Sequence, residues 1–169
     1  MQPTLPPFKI GTGYDVHRLV EGRPLVLCGV PIDYSMGLDG HSDADVALHA
    51  ICDALLGCIG NRDIGYHFPP SDNTYKNCDS ALLLQRVMDM IKEAGYAVGN
   101  IDVVIIAEAP KLSPYIEQMQ QRVGELIETP FVSIKATTHE KLGTIGRGEG
   151  IAAQAVALVY RKQLEGTLF

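Results

Sequence analysis

One segment, residues 101–107, consists almost entirely of β-branched apolar residues. Such a run is typical of a strand buried inside a sheet, because both of its faces need apolar cover. A chain of 169 residues with 46% hydrophobic residues has the size and composition of one globular domain. The segment therefore predicts a sheet at the centre of a single domain.

The rest of the chain supplies further strands and three helices. Strands are predicted at 8–16, 25–28, 30–32, 131–136 and 151–160, of which 25–28 and 30–32 form a short hairpin or a bent strand. Helices are predicted at 46–59, from an N-cap at Asp79 to Ala94, and from Ser113 as N-cap with Pro114 at the first helical position. We expect an α+β fold, a two-layer mixed β-sheet with three helices. The sheet face left without helices predicts oligomerisation.

Composition limits the setting of the protein. Residues 1–7 are proline-rich without an apolar signal core, and no apolar run approaches the roughly 20 residues that span a bilayer. We expect a cytoplasmic protein with a flexible N-terminus at 1–7, one domain at 8–161 and a C-terminal tail at 162–169. The four cysteines form no C-x-x-C pair and are interpreted as reduced thiols. A net charge of −6 argues against broad nucleic-acid binding, and leaves open an anionic small molecule held by local donors or a metal.

A candidate metal site involves the first predicted strand and the first predicted helix. Asp15 and His17 are two residues apart, so their side chains share one face of the strand, and His49 lies on the helix that should pack there. One carboxylate and two imidazoles suit a catalytic zinc ion with an open fourth position. Asp45 and Asp53, on the His49 face of the helix, are candidates to orient its ring. The alternative is a common Asp-x-His pair, a core histidine and a solvated acidic stripe.

His41 and Ser42 precede the same helix. Ser42 followed by Asp45 three residues later resembles a capping box, in which the hydroxyl would cap the helix. A helix N-terminus is also a favourable place for a phosphate. Both interpretations use the same hydroxyl, and the sequence leaves them open.

Three polar segments fall outside these elements. Residues 135–150 combine hydroxyls, two lysines, one arginine and four glycines, and glycines let backbone N–H groups turn toward an anion. The segment lacks the G-K-[ST] of a Walker A loop, and its G-R-G-E-G leads into a strand, unlike a Rossmann fingerprint. An ordinary surface turn is the alternative. Residues 36–45 and 63–79 are candidate functional loops.

Several motifs follow one another along the chain in a fixed order. They are G-T-G-Y-D-V-H at 11–17, H-S-D-A-D-V-A-L-H-A at 41–50, D-A-L-L-G from Asp53, D-I-G from Asp63, F-P-P from Phe68, A-E-A-P-K from Ala107, and K-A-T-T-H-E-K-L-G with G-R-G-E-G at 135–150. Together they resemble the 2-C-methyl-D-erythritol 2,4-cyclodiphosphate synthases over residues 10–159. Each motif is short, but their number, order and spacing make the resemblance specific.

The resemblance implies an activity and its cofactors. It implies conversion of 4-diphosphocytidyl-2-C-methyl-D-erythritol 2-phosphate to the 2,4-cyclodiphosphate with release of CMP, a step of the non-mevalonate isoprenoid pathway. It implies a homotrimer with active sites between subunits, and a Zn²⁺ ion held by Asp15, His17 and His49. A second ion, Mg²⁺ or Mn²⁺, would bridge the substrate diphosphate with help from Glu140. The catalytic residues it implies are Asp15, His41 and Thr138.

The resemblance also implies several groups of substrate contacts. His41 and Ser42 would contact the 2-phosphate, while Asp63, Ile64 and Gly65 would line the erythritol pocket. The cytidine of the neighbouring subunit's substrate would be held by Ala107, Ala109, Pro110, Lys111, Ser113, Thr137 and Thr138. Further substrate contacts are expected at Phe68, Asp72, His139, Glu140 and Arg147.

Some positions depart from the family pattern. Glu108 stands where Gln is usual, His139 where Thr is usual, and Thr144 where Phe is usual. Pro70 replaces the aspartate of F-P-D, and Asp72 is a candidate to supply that carboxylate. None of these changes touches the zinc ligands. The change at Thr144 bears on any apolar pocket on the trimer axis, where Arg147 and Glu149 would lie.

Two other classes of protein match parts of the pattern. A non-haem Fe(II) oxygenase also uses two histidines and one carboxylate, but on a double-stranded β-helix that three helices disfavour. The other class is a non-catalytic trimer whose glycine-rich segment binds a diphosphate. Release of CMP from the substrate distinguishes the synthase from both.

Overall fold

The fold is described from a computed structural model, in which residues 7–69, 71 and 78–162 are described. Pro70, Asp72 and nearly all of the predicted terminal segments at 1–7 and 162–169 lie outside these residues. Among the described residues, no helix combines the length and the apolar character needed to span a bilayer.

Within the described residues, seven strands form one main sheet and one hairpin. They are β1 (Phe8–Glu21), β2 (Leu25–Leu27), β3 (Val30–Ile32), β4 (Met36–Leu38), β5 (Tyr96–Ile106), β6 (Val132–Thr137) and β7 (Gly150–Arg161). The main sheet has the order β4-β1-β7-β5-β6, and β2 pairs with β3 in the hairpin that the sequence predicted. Of the strand pairs in the described part of the sheet, β5–β6 is parallel and the others are antiparallel, so the sheet is mixed, as expected.

Three long helices cover one face of the sheet. The helices are α1 (Val46–Ile59), α2 (Ile64–His67), α3 (Ser80–Glu93), α4 (Ile116–Ile127) and α5 (Gly143–Gly146), of which α2 and α5 are single turns. Helix α1 packs on β1 and β7, α3 packs on α1 and β5, and α4 packs on β6. This arrangement confirms the predicted α+β class and its three main helices.

The start of α1 differs from the predicted capping box. Asp45 is the N-cap, and its carboxylate accepts a hydrogen bond from the Leu48 N–H at 3.0 Å. The same buried carboxylate accepts from the N–H groups of Cys28 and Gly29 at 3.0 and 2.6 Å. It therefore ties the turn between β2 and β3 to the helix. Ser42 does not cap α1, so that interpretation of its hydroxyl is wrong.

Some element boundaries also differ from those predicted. Strand β1 continues to Glu21 because its second half pairs with β7 and then with β4. The helix predicted from Ser113 begins with a 3₁₀ turn at Ser113–Tyr115, and α4 starts only at Ile116. Ser113 is not the cap, because the Tyr115 N–H donates to the Leu112 carbonyl and closes the turn one residue earlier. The N-cap at Asp79 is confirmed by its bond from the Ala81 N–H.

Strand β1 and helix α1 are in direct backbone contact at two glycines. A Cβ atom on Gly11 would lie 2.0 Å from the Ala54 carbonyl oxygen, and one on Gly13 would lie 1.9 Å from the Ala50 carbonyl oxygen. Neither distance is sterically possible, so only glycine allows this approach. The contact fixes the separation of the two elements that carry the candidate metal ligands.

The other face of the main sheet is apolar and exposed. On β1, the side chains of Phe8, Ile10 and Tyr14 are exposed by 60%, 63% and 58%, and Val156 and Tyr160 of β7 continue the surface. An exposed apolar surface of this kind indicates a contact with another molecule. It agrees with the predicted oligomerisation, although the number of subunits stays a prediction.

We expect Gly13→Ala to lower the free energy of unfolding by about 1–3 kcal/mol or more, because the added methyl group forces β1 away from α1. Urea titration measures the change. The matched control is Gly57→Ala in α1. Its new Cβ would have no neighbour closer than the Gly11 Cα at 3.7 Å, an ordinary van der Waals contact. Helix propensity should make this control neutral or up to about 1 kcal/mol more stable. Equal stabilities of the two variants would contradict the role of the close contact.

Candidate metal centre and active-site cleft

Three side chains converge where β1 meets the N-terminal half of α1. The Asp15 Oδ2 atom lies 2.9 Å from both His17 Nε2 and His49 Nδ1, and the two histidine nitrogens are 3.2 Å apart. These three residues are the group of possible metal ligands found among the described residues. The structure thus brings together the ligand set that the sequence predicted.

The donor set fits a metal ion in chemistry and in spacing. Ligand atoms about 2.0 Å from a tetrahedral zinc ion are separated by about 3.3 Å, close to the separations between these three atoms. One carboxylate and two imidazoles leave a fourth position open, as in catalytic sites. The chemistry of this set does not select one divalent metal over another.

The second nitrogen of each histidine has an oxygen partner. His17 Nδ1 lies 2.7 Å from the backbone carbonyl of Asp39, which can only accept, so Nδ1 carries a proton and Nε2 is the nitrogen that a metal ion would bind. His49 Nε2 lies 3.1 Å from Ser42 Oγ and 3.0 Å from Ser80 Oγ. A metal on Nδ1 of His49 requires the proton on Nε2, where these hydroxyl oxygens accept it.

The prediction that Asp45 or Asp53 orients the His49 ring is wrong. Asp45 is occupied by backbone N–H groups as the helix cap. Asp53 accepts a hydrogen bond from the Ile64 N–H at 2.8 Å and so holds α2 against α1. The two aspartates do lie on one side of the helix, as predicted, but both carboxylates bind backbone groups instead of the imidazole.

Charge couples the members of the triad. Burial raises the pKa of Asp15, but hydrogen bonds and charges from His17 and His49 outweigh it and hold the pKa well below its ordinary value. Burial lowers the pKa of His17, but the hydrogen bond and charge of Asp15 outweigh this effect and raise it. Both shifts favour the charged forms of Asp15 and His17, so a metal ion on Nε2 of His17 competes with a proton there.

The triad opens into a cleft of about 220 Å³. Its walls are formed by Asp15, His17, His41, Ser42, His49, Ile64, Gly65, Phe68 and Leu83. Five residues expected to contact substrate are therefore brought together at the metal ligands, namely His41, Ser42, Ile64, Gly65 and Phe68. Asp63 lies next to the cleft as the N-cap of α2, where its carboxylate accepts from the Tyr66 N–H at 2.9 Å. Their roles toward substrate stay predictions.

The predicted cytidine contacts form a second group at the ends of β5 and β6. The Ala107 N–H donates to the Thr137 carbonyl, so the parallel strands end side by side. Glu108 accepts from the N–H groups of His139 and Lys141 at 2.8 and 3.3 Å, which holds the two connecting segments together. A carboxylate can thus make these contacts where the family usually has glutamine.

The remaining members of this group lie in the same two segments. Thr138 Oγ1 donates to the Glu140 carboxylate at 3.1 Å and accepts from its N–H. Ala109, Pro110 and Lys111 lie between β5 and the 3₁₀ turn that starts at Ser113, with a cis peptide bond before Pro110. Arg147 pairs with Glu149 at 2.7 Å and does not line the metal cleft.

The two groups are far apart within one chain. Four residues on adjacent strands are paired in one row across the sheet, namely Asp15, Ala153, Ile105 and Ala136. The row spans three spacings between neighbouring strands. At about 4.8 Å per spacing, the metal ligands and the end of β6 are roughly 14 Å apart. None of the predicted cytidine contacts lines the metal cleft.

Sequence reasoning missed the polar residues behind the triad. Ser80 and Asp43 lie beyond the His49 ring, and Ser80 Oγ is 2.5 Å from Asp43 Oδ1. The nearest signal in the sequence is the N-cap at Asp79, which locates the helix start but says nothing of the role of Ser80. Leu83, one turn later on α3, completes the cleft wall.

Comparison with known proteins identifies the family. The model of the YgbB family matches residues 8–160. The chain belongs to the YgbB family. Two of its relatives are named 2-C-methyl-D-erythritol 2,4-cyclodiphosphate synthase. The one from Porphyromonas gingivalis strain W83 is 60% identical over 155 residues, 90% of this chain and 96% of the relative. The one from Geobacillus sp. strain WCH70 is 57% identical over 157 residues, 92% and 99% of the two chains.

Two solved structures share the fold. The bifunctional IspDF of Campylobacter jejuni superposes with a TM-score of 0.89 at 40% identity, over 95% of this chain and 44% of that one. The CDP complex of IspF from Plasmodium falciparum superposes with a TM-score of 0.82 at 33% identity, over 95% of this chain and 100% of that one. A sheet covered by three helices is also unlike the double-stranded β-helix of the oxygenases, so that alternative is excluded.

We expect zinc binding to the metal-free protein to weaken as the pH falls below the raised pKa of His17. Zinc needs the neutral imidazole, so each ion displaces at least one proton, and the apparent affinity should fall about tenfold per pH unit below that pKa. Asp15 does not compete in this range because its pKa is lowered. Titration calorimetry in buffers of different ionisation enthalpy counts the protons released. An affinity independent of pH from 5 upwards would contradict the assignment of His17.

Proposed function

We propose that this chain converts 4-diphosphocytidyl-2-C-methyl-D-erythritol 2-phosphate to 2-C-methyl-D-erythritol 2,4-cyclodiphosphate and CMP. The observation that carries the proposal is the convergence of Asp15, His17 and His49 at a cleft that also contains His41 and Ser42. It is supported by relatives of that name at 60% and 57% identity. The reaction makes the enzyme a phosphorus–oxygen lyase of the non-mevalonate isoprenoid pathway.

The chemistry is an intramolecular phosphoryl transfer. An oxygen of the 2-phosphate forms a bond to the β-phosphorus, and the bond from that phosphorus to the bridging oxygen breaks, leaving its electron pair on CMP. No covalent bond to the enzyme is needed, so positioning and charge stabilisation dominate. Bound at the triad, zinc would polarise the phosphoryl oxygens.

The chain's own residues hold the reacting groups. We propose that His41 and Ser42 bind the 2-phosphate and that Ile64, Gly65 and Phe68 enclose the erythritol, because all of them line the cleft beside the triad. Asp63 would bind the sugar hydroxyls from the adjoining helix start. Thr138 would contact the cytidine, and Glu140 would help to hold Mg²⁺ or Mn²⁺ near the substrate diphosphate. The Glu140 carboxylate is exposed and accepts a hydrogen bond from the Thr138 hydroxyl.

The active enzyme is proposed to be a homotrimer with shared sites. The apolar outer sheet face needs cover, and the metal cleft of one chain lacks the proposed cytidine contacts, which lie roughly 14 Å away across the sheet. A neighbouring subunit that brings the ends of its β5 and β6 over the cleft would complete the site. The neighbouring chain would then supply Ala107, Ala109, Pro110, Lys111, Ser113, Thr137, Thr138 and His139.

Release of CMP from purified substrate tests the activity. We expect turnover by the metal-loaded protein, and a loss of more than about 100-fold for His17→Ala, because removing a ligand costs more than the roughly 10–100-fold effect of changing a ligand's supporting residue. Metal content should fall in parallel while circular dichroism stays unchanged. A wild-type protein that binds CDP but releases no CMP would instead indicate the non-catalytic binding protein. Full zinc occupancy in His17→Ala would contradict the assigned ligand.

Shared sites allow two inactive variants to complement each other. We pair His49→Ala, which removes a metal ligand, with Thr138→Trp, which blocks the proposed nucleotide contact. Neither homotrimer should be active. Random 1:1 mixing restores an intact pair at about one interface in four, since a closed ring repeats one heterologous contact. Co-expressed mixtures should therefore recover roughly a quarter of wild-type turnover.

The control is a mixture of the two folded homotrimers without subunit exchange, which should stay inactive. Sedimentation or light scattering verifies that both variants assemble. If well-exchanged mixed trimers have no activity, each site lies within one chain and the shared arrangement is wrong.

A further inference from the structure

We propose that Ser80 is a positioning residue for the metal centre: its buried hydroxyl, held by Asp43, keeps the His49 imidazole in the tautomer and orientation that metal binding requires. The inference rests on the metal site of the proposed function. It concerns a residue on α3, a helix that carries none of the predicted metal ligands.

The Ser80 hydroxyl lies at the centre of a buried polar cluster. Its Oγ is 3.0 Å from His49 Nε2, 3.2 Å from Ser42 Oγ and 2.5 Å from Asp43 Oδ1. Ser80 is 0% exposed, and His49 and Ser42 are 7% and 6% exposed. Water cannot replace a missing partner easily at such a position, so each of these bonds has weight.

The directions of the bonds follow from the donors available. The Asp43 carboxylate only accepts, so the single hydroxyl proton of Ser80 points to Asp43. The lone pairs of Ser80 Oγ then face His49 and Ser42. A proton on Nε2 satisfies His49 against such an acceptor, while Nδ1 faces the Asp15 carboxylate at 2.9 Å. A metal ion on Nδ1 would take the place of any proton there, and the Asp43–Ser80 pair keeps the remaining proton on Nε2, which is the tautomer that binds a metal.

Asp43 is itself fixed between two helix starts. Its Oδ1 accepts from the Asp45 N–H and its Oδ2 from the Ser80 N–H, both at 3.1 Å. Its own N–H donates to the Cys78 carbonyl at 3.1 Å. The carboxylate therefore ties the beginnings of α1 and α3 together, and the direction of the Ser80 hydroxyl is set before any ligand arrives.

Ser42 alone would be a poorer support for His49. Its hydroxyl also reaches Nε2 of His49, but it lines the cleft and is a proposed contact of the substrate phosphate. A ligand in the cleft competes for that hydroxyl. Ser80 does not line the cleft, so its bond to the imidazole persists when the cleft is filled. Ser42 is thus available to contact the substrate, while Ser80 positions the His49 ring.

The test compares metal binding by the wild-type protein and Ser80→Ala. Co²⁺ is the probe, because its visible absorption reports ligand geometry and its affinity can be measured by competition with a chromophoric chelator. We expect Ser80→Ala to bind Co²⁺ about 10–100-fold more weakly, the usual effect of removing a supporting partner of a metal ligand, with an altered absorption band. The backbone N–H of residue 80 still reaches Asp43, so the fold should persist.

Thr129→Val is the matched control. Thr129 is also buried and hydroxylated, but its hydroxyl contacts the Gly99 carbonyl at the far end of α4. Thr129→Val should change the free energy of unfolding measured in denaturant without changing the Co²⁺ affinity or the Co²⁺ spectrum. If Ser80→Ala fails to fold, Ser80→Cys replaces it, since a thiol of similar size is a weak acceptor and should weaken binding in the same direction.

The outcomes separate this inference from the proposed function. Wild-type affinity and an unchanged Co²⁺ spectrum in a folded Ser80 variant would overturn the role of Ser80 and leave the metal site intact. Failure of the wild-type protein to bind Co²⁺ would overturn both. An equal loss of affinity in Thr129→Val would show a general effect of stability and also overturn the inference.

Discussion

The close contact between β1 and α1 is the constraint on which the site depends. At Gly11 and Gly13 the strand backbone touches carbonyl oxygens of the helix, with no room for a side chain. Two residues of a strand advance about 6.7 Å and four residues of a helix about 6 Å, so the two elements stay nearly in step. The next residues on that face, Asp15 and His17, therefore meet the next turn of α1. His49 lies on that turn, and its position follows from packing rather than from a flexible loop.

A second layer of polar contacts supports this geometry. The carbonyl of Asp39 orients His17, and the hydroxyls of Ser42 and Ser80 orient His49. Asp45 plays a different part, since its carboxylate joins the start of α1 to the β2–β3 turn. Backbone and hydroxyl oxygens thus perform the role that sequence reasoning gave to helix carboxylates. Each of the two histidine ligands is therefore held from behind.

The sequence was informative where a local pattern or a capping residue determines the structure. Apolar spacing located α1 at 46–59 with the observed bounds, and the Asp79 cap located α3. Strand alternation placed Asp15 and His17 on one face. The three-residue strand β4 and the single-turn helices α2 and α5 were missed, because each depends on tertiary partners such as the edge of β1. The Ser80 support was missed for the same reason, since it joins residues 31 positions apart.

The pleat of β1 has a consequence for tolerated change. Alternate residues of this strand serve two purposes, with Asp15 and His17 pointing to the helix and Tyr14 and Val16 to the exposed sheet face. Loss or gain of one residue between Gly13 and Asp15 would reverse the faces of the residues that follow, turning the carboxylate and the imidazole outward and Val16 toward α1. Length variation should therefore be excluded from this strand. The side-chain alternation of β1 thus decides both which residues face the metal site and which form the outer surface of the sheet.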